Sequence, residues 1–296
     1  MSTDENGSNL PVLIYQMGKV GSKSIALSLA HHNILNLSLH GLTWDSIQRA
    51  ESQKVSNYSV TCRAVRTLMD LSPDDIKWRI VTLVRDPVAR IISDTFQNGD
   101  RFLPHLADFT AEAAYKEVLE YLLKKFRNFN EATDYVCTWF DREMKTVFDF
   151  DVFSVDFENT SSCQIYETPR ADILLIKLEQ LSECCRDAFA EFLGIRDFHL
   201  RNANVSMHKP YKKTYKKVLD SIAVPPCDLE KIYSSRYARH FYSAREIADF
   251  RQRWSQNTTT QPVSGQLTEP KSHSLSAAQP GCDSYRSQLH THQRAF

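Results

Sequence analysis

The chain has 296 residues, of which 42% are hydrophobic and 24% charged, with 36 basic and 36 acidic side chains in balance. That composition suits a globular protein with one large domain, and the even charge leaves any case for an anionic partner to local clusters. Seven cysteines, an odd number with no C-x-x-C pair, exclude a disulfide framework and a zinc ribbon, and no apolar run nears the ~20 residues of a membrane span.

The N-terminus, MSTDENGSNL, is acidic and polar, without a secretory pattern, and residues 1–10 read as a flexible lead into a cytoplasmic protein. The apolar run Val12–Met17 then predicts a strand, and Ser22–His31 a helix. Between them, YQMGKVGSKSI looks like a phosphate-binding turn. A Walker A loop would put its two glycines at Met17 and Ser22, but they stand at Gly18 and Gly21. Gly21 allows close approach of the backbone, Ser22 and Ser24 offer hydroxyls, and Lys19 and Lys23 add charge at a helix N-terminus that itself favours anions. The loop alone leaves open a decayed ATPase motif, a relative that holds another phosphate group, or a basic turn with no ligand.

Further along, Ile34–Leu39 predicts a second strand ending at His40, and Arg79–Val84 a third that runs directly into Arg85. A guanidinium at the carboxyl end of such a strand stands where ligands sit in open α/β sheets, and its planar fork suits a phosphate. The helix Asp86–Phe96 follows, with Asp86 as N-cap and Pro87 in the first turn, and it carries Ser93. Thr110–Phe126 is amphipathic, Trp139 and Phe140 read as core, and Asp172–Leu178 predicts a fourth strand. KPYKKTYKK (209–217) is a basic and aromatic stretch that suits an anionic acceptor, the donor itself, nucleic acid or plain solvent. From Ser255 onward the chain is rich in Ser, Thr, Gln and Pro without periodicity, so 255–296 reads as disordered and 11–254 as the folded domain.

Taken in order, these segments resemble the sulfotransferases that use phosphoadenosine phosphosulfate (PAPS). Lys19, Gly21, Ser22 and Ser24 match the loop that holds the phosphosulfate in that superfamily, and Arg85 and Ser93 match the clamp on the ribose phosphate. LLIKLEQLSECCRDAFAEFLGI (174–195) is similar to its strand, acidic residue and helix, with Glu179 at the acidic position. GKVGS (18–22), WFDREMKTVFDFDVF (139–153), NVSMHKPYKKTY (204–215) and IYSSRYARHFYSAREIADFRQRW (232–254) are closer still to a bacterial branch named for capsular polysaccharide synthesis. Lys23 departs from the Thr usual at its position in the branch.

The resemblance implies a P-loop NTPase-like, three-layer α/β fold with a central, mainly parallel sheet. It implies transfer of a sulfuryl group from PAPS to an acceptor hydroxyl, here on a saccharide, with no metal. Gly18, Gly21, Ser22, Lys23, Ser24, Arg85 and Ser93 would bind the donor. Lys19 is the cation for the departing oxygen. His40, at a strand end on the ligand edge, is the first choice of base, with Asp45, Asp94 and Glu143 as rivals. A P-loop kinase and an inactive sulfotransferase-like protein are the competing readings. A membrane span and a nucleic-acid partner are not expected.

Overall fold

Three short, mainly apolar runs become the centre of the sheet, because strands covered on both faces must be largely apolar. The computed structural model describes residues 10–53, 56–71, 76–103, 112–201 and 211–255. Strands β1 (Val12–Tyr15), β2 (Asn36–Leu39), β3 (Trp78–Val84) and β5 (Ala171–Lys177) pair in parallel, and β4 (Cys163–Glu167) adds an antiparallel edge to β5. The order is β2-β1-β3-β5-β4. The chain leaves β1 toward β2 on one side and reaches β3 on the other. This places a topological switch point at the carboxyl ends of β1 and β3, where a crevice opens in such sheets.

Helix α1 (Ser22–His31) joins β1 to β2, and α2 (Trp44–Ser52) and α3 (Ser56–Leu71) pack on each other before β3. Then α4 (Pro87–Gln97) starts as its sequence dictates: Asp86 accepts from the Val88 amide and Pro87 occupies the first turn. Short α5 (Gly99–Phe102) and long α6 (Glu112–Arg127) follow, and Val118, Leu122 and Phe126 form the fully buried stripe of α6. Helices α7 (Tyr135–Trp139) and α8 (Thr146–Phe148) flank a π-helical segment, Phe140–Lys145. Then come α9 (Leu181–Leu193), α10 (Lys212–Ser221), α11 (Pro226–Tyr233), α12 (Arg236–Phe241) and α13 (Ala244–Ser255).

The last helices close over the carboxyl ends of β3 and β5. Tyr237 donates to the Arg85 carbonyl and accepts from its amide, both at 3.0 Å. Tyr233 and Trp254 each donate to Asp86 at 2.7 Å, and Tyr242 donates to Glu179. Burial pushes both carboxyls above the usual range, and for Glu179 the charge of Asp86 adds to it. Lys177, fully buried, is held by Glu246 and the Asn159 carbonyl. Losing one of these donors strands a buried acceptor, at a cost of about 1–3 kcal/mol.

The described cysteines (Cys62, Cys137, Cys163, Cys184, Cys185 and Cys227) are free thiols. No helix among the described residues is long and apolar enough to cross a membrane. Residues 1–9 and the segment 256–296 lie outside the described residues, as do 202–210, which hold the start of the basic stretch. The rest of that stretch is the N-cap Tyr211 and the first turns of α10, where Tyr211 and Tyr215 pack on Phe96, centroids 5.6 and 5.1 Å away.

Candidate functional site

The loop between β1 and α1 reverses the sign of φ at alternate residues: Lys19 and Gly21 are positive (75° and 95°), while Gly18 and Val20 are not. Such alternation turns successive amides toward one concave side and makes an anion nest. Its positive φ is what calls for glycine at Gly21; a Cβ there would also displace the end of the Leu178 side chain, 2.6 Å away. A Cβ on Gly18 would meet nothing within 4 Å, so the backbone there is open to a ligand. Two arginines hold the loop by its carbonyls: Arg85 Nη1 donates to the Lys19 carbonyl at 2.8 Å, and Arg90 Nε to the Gly18 carbonyl at 3.2 Å.

His40 stands beside this loop at the end of β2. Its amide donates to Tyr58 Oη at 2.7 Å, and its carbonyl accepts from Trp139 Nε1 at 2.8 Å. Its Nδ1 lies 2.9 Å from the Gln16 carbonyl. A carbonyl only accepts, so Nδ1 carries the hydrogen and Nε2 is the basic nitrogen. Burial lowers the His40 pKa, and the charges of Lys19 and Arg90 lower it further against the opposing Gln16 bond. The ring is therefore neutral at pH 7. Gly18, Lys19 and His40 line one cavity of about 440 Å³, together with Tyr58, Arg90 and Asp94.

The rivals for the base fall into different places. Asp94 lines the same cavity but is paired with Arg90 at 3.4 Å and accepts from Asn98. Asp45 is exposed in the first turn of α2, outside that lining. Glu143, in the π-helical segment and 4% exposed, accepts from Tyr15 Oη (2.6 Å), the Leu42 and Thr43 amides (2.8 and 3.1 Å), Thr43 Oγ1 (2.9 Å) and Ser46 Oγ. It ties β1, the loop after β2 and the start of α2 to one carboxylate.

Of the expected donor contacts, Gly18 and Lys19 face the His40 cavity, while Gly21 and Ser24 line a second one of about 740 Å³ with Arg186 and Phe198. Ser22 is half-buried at the start of α1, and Lys23 is exposed; neither lines either cavity. Arg85 and half-buried Ser93 are likewise outside both linings, Arg85 being turned onto the loop's own backbone. The sequence reading missed Arg90, 5% exposed, which joins the Gly18 carbonyl, Asp94 and the face of the Tyr135 ring 5.0 Å away. Its one readable signal is the i,i+4 spacing to Asp94.

The fold and site define a mixed α/β protein with a five-stranded, mostly parallel sheet, whose carboxyl edge carries a backbone nest, a lysine and a neutral histidine. Residues 115–243 match a family model described as "Putative capsular polysaccharide synthesis protein". The match takes in Glu143 and Glu179 and begins after the loop, His40 and Arg85. No curated protein and no solved structure matches the chain.

Proposed function

We propose that the protein is a sulfotransferase that moves a sulfuryl group from PAPS to a hydroxyl of a saccharide. The observation that carries this reading is the adjacency of an anion nest to a histidine whose protonated nitrogen is fixed by the Gln16 carbonyl. The open backbone at Gly18 and the phosphate-seeking amides of the loop fit a phosphosulfate end. PAPS, when bound, supplies a sulfuryl group on a good phosphate leaving group. Lys19 would hold the charge that develops on the departing oxygen, an interaction that strengthens as the bond breaks. His40 Nε2 would take the proton of the acceptor hydroxyl in the cavity it shares with Lys19. Arg85 and Arg90 would act through the loop by holding its carbonyls away from the anion. The saccharide acceptor is supported by the family description.

A kinase would need a carboxylate at the end of β3 for magnesium. Asp86 stands there, but its oxygens are taken by Val88, Tyr233 and Trp254. The test is transfer of labelled sulfate from PAPS to a saccharide panel, in parallel with transfer of labelled phosphate from Mg-ATP. Sulfate incorporation that disappears in His40→Ala supports the proposal, and phosphate incorporation alone would replace it with the kinase reading.

A further inference from the structure

We infer that Tyr58 is a positioning residue for His40: its phenol oxygen fixes the carboxyl end of β2, so that the imidazole keeps Nδ1 on the Gln16 carbonyl and leaves Nε2 to take a proton. This rests on the proposal that His40 is the base.

β2 is an edge strand, and its ladder to β1 ends where the Gln16 amide donates to the Leu39 carbonyl at 3.1 Å. The next two amides, of His40 and Gly41, both donate to Tyr58 Oη, at 2.7 and 3.1 Å. Tyr58 reaches them from the first turn of α3 and lines the same cavity as His40 and Lys19. Burial pushes its phenol well above the usual range, so the hydroxyl keeps its hydrogen, which is left for the Cys62 thiol four residues along α3. Two amides accepted and one hydrogen given use the oxygen fully.

The hydroxyl, rather than the ring, sets this residue apart. The Tyr58 and His40 ring centroids lie 6.2 Å apart at a tilt of 34°, a contact that phenylalanine would also give. Phenylalanine would leave two successive amides without their acceptor. Glu143 takes the following pair, Leu42 and Thr43, so the four amides from 40 to 43 go to two side chains, and Tyr58 takes the two nearest the ring. The 2.9 Å bond from Nδ1 to Gln16 joins the ends of two strands, so it depends on how those ends are held against each other. If that bond opens, the ring hydrogen can move from Nδ1 to Nε2, and a ring with its hydrogen on Nε2 cannot accept a proton there.

The test is Tyr58→Phe in the full-length protein. The variant should melt cooperatively and bind adenosine 3′,5′-bisphosphate, the desulfated donor, as the parent does. Its turnover should fall by about 10–100-fold with little change in either Michaelis constant, as a misplaced catalytic group requires. Long-range ¹H–¹⁵N spectra, with the His40 ring assigned by its absence in His40→Ala, should show one Nδ1–H tautomer in the parent and a mixture in the variant. An unchanged tautomer, unchanged turnover, or donor binding lost in step with turnover would overturn the inference. Amide exchange in the parent keeps the test decisive should the variant not fold. The inference requires slow exchange at both His40 and Gly41 together with the single tautomer, and fast exchange or a mixed ring overturns it. A parent that transfers no sulfate overturns the proposed function instead, and the tautomer and exchange readings still decide the role of Tyr58.

Discussion

Glu143→Gln separates a structural carboxylate from a catalytic one. Five hydrogen bonds converge on Glu143, two of them from backbone amides that cannot turn away. The amide oxygen of Gln can take the place of Oε2 and keep Tyr15, Leu42 and Thr43, while the hydroxyls of Thr43 and Ser46 rotate to accept from the new NH₂. What is lost is the charge. A bond to a charged group contributes about 1.5–3 kcal/mol and a neutral one about 0.5–1.5, so each bond weakens by about 1 kcal/mol. Such losses within one network do not add fully, and we expect about 2–4 kcal/mol in all. A domain of this size loses about 2–4 °C per kcal/mol, so the melting temperature should fall by roughly 4–16 °C. Glu143→Ala should cost more, because it leaves two amides and a phenol unsatisfied at about 1–3 kcal/mol each. Thermal melts read the stability, and turnover on the folded protein reads the chemistry. Parent-like melting with a thousandfold loss of turnover would refute the reasoning and make Glu143 the base.

Lys19→Ala should lower turnover by about 10²–10³ with little change in donor affinity, whereas Lys23→Thr should stay within roughly tenfold and act mainly on the donor Michaelis constant; the opposite pattern would mean a Walker-type lysine. Arg85→Ala removes the bond to the Lys19 carbonyl and should weaken binding of adenosine 3′,5′-bisphosphate by roughly 10–150-fold, so unchanged affinity by calorimetry would exclude it from the site. On the proposal that the neutral ring is the base, activity should rise as pH rises through the His40 pKa. Burial and the charges of Lys19 and Arg90 lower that pKa, so the acid limb belongs below about 6.5. Lys19→Ala should move the limb upward, and a limb that stays put in this variant would contradict the assignment.

The legible parts of the fold are those where local chemistry decides. The apolar runs read as strands at 12–17, 79–84 and 172–178 are buried strands at 12–15, 78–84 and 171–177, and Asp86-Pro87 starts α4 as read. CQIYE of β4 was missed, since an edge strand that buries only Tyr166 shows no continuous apolar run. At the site, the glycine spacing and the strand-end His40 pointed to the carboxyl edge of the sheet, where the structure places Gly18, Lys19 and His40 around one cavity. The tautomer of His40 was out of reach, because it depends on a carbonyl 24 positions away. Glu143 gathers donors 97 to 128 positions earlier, and a carboxylate in a polar stretch carries no mark of that. Arg90 looked like any helix-surface arginine until α4 packed against the loop and Tyr135.

The central claim, that the loop after β1 holds the phosphosulfate of a PAPS donor, is tested most directly by calorimetric titration with adenosine 3′,5′-bisphosphate in EDTA, followed by Mg-ATP. The account predicts saturable, metal-independent binding of the bisphosphate that Arg85→Ala weakens, and no comparable binding of Mg-ATP. Tight Mg-ATP binding with none of the bisphosphate would contradict it.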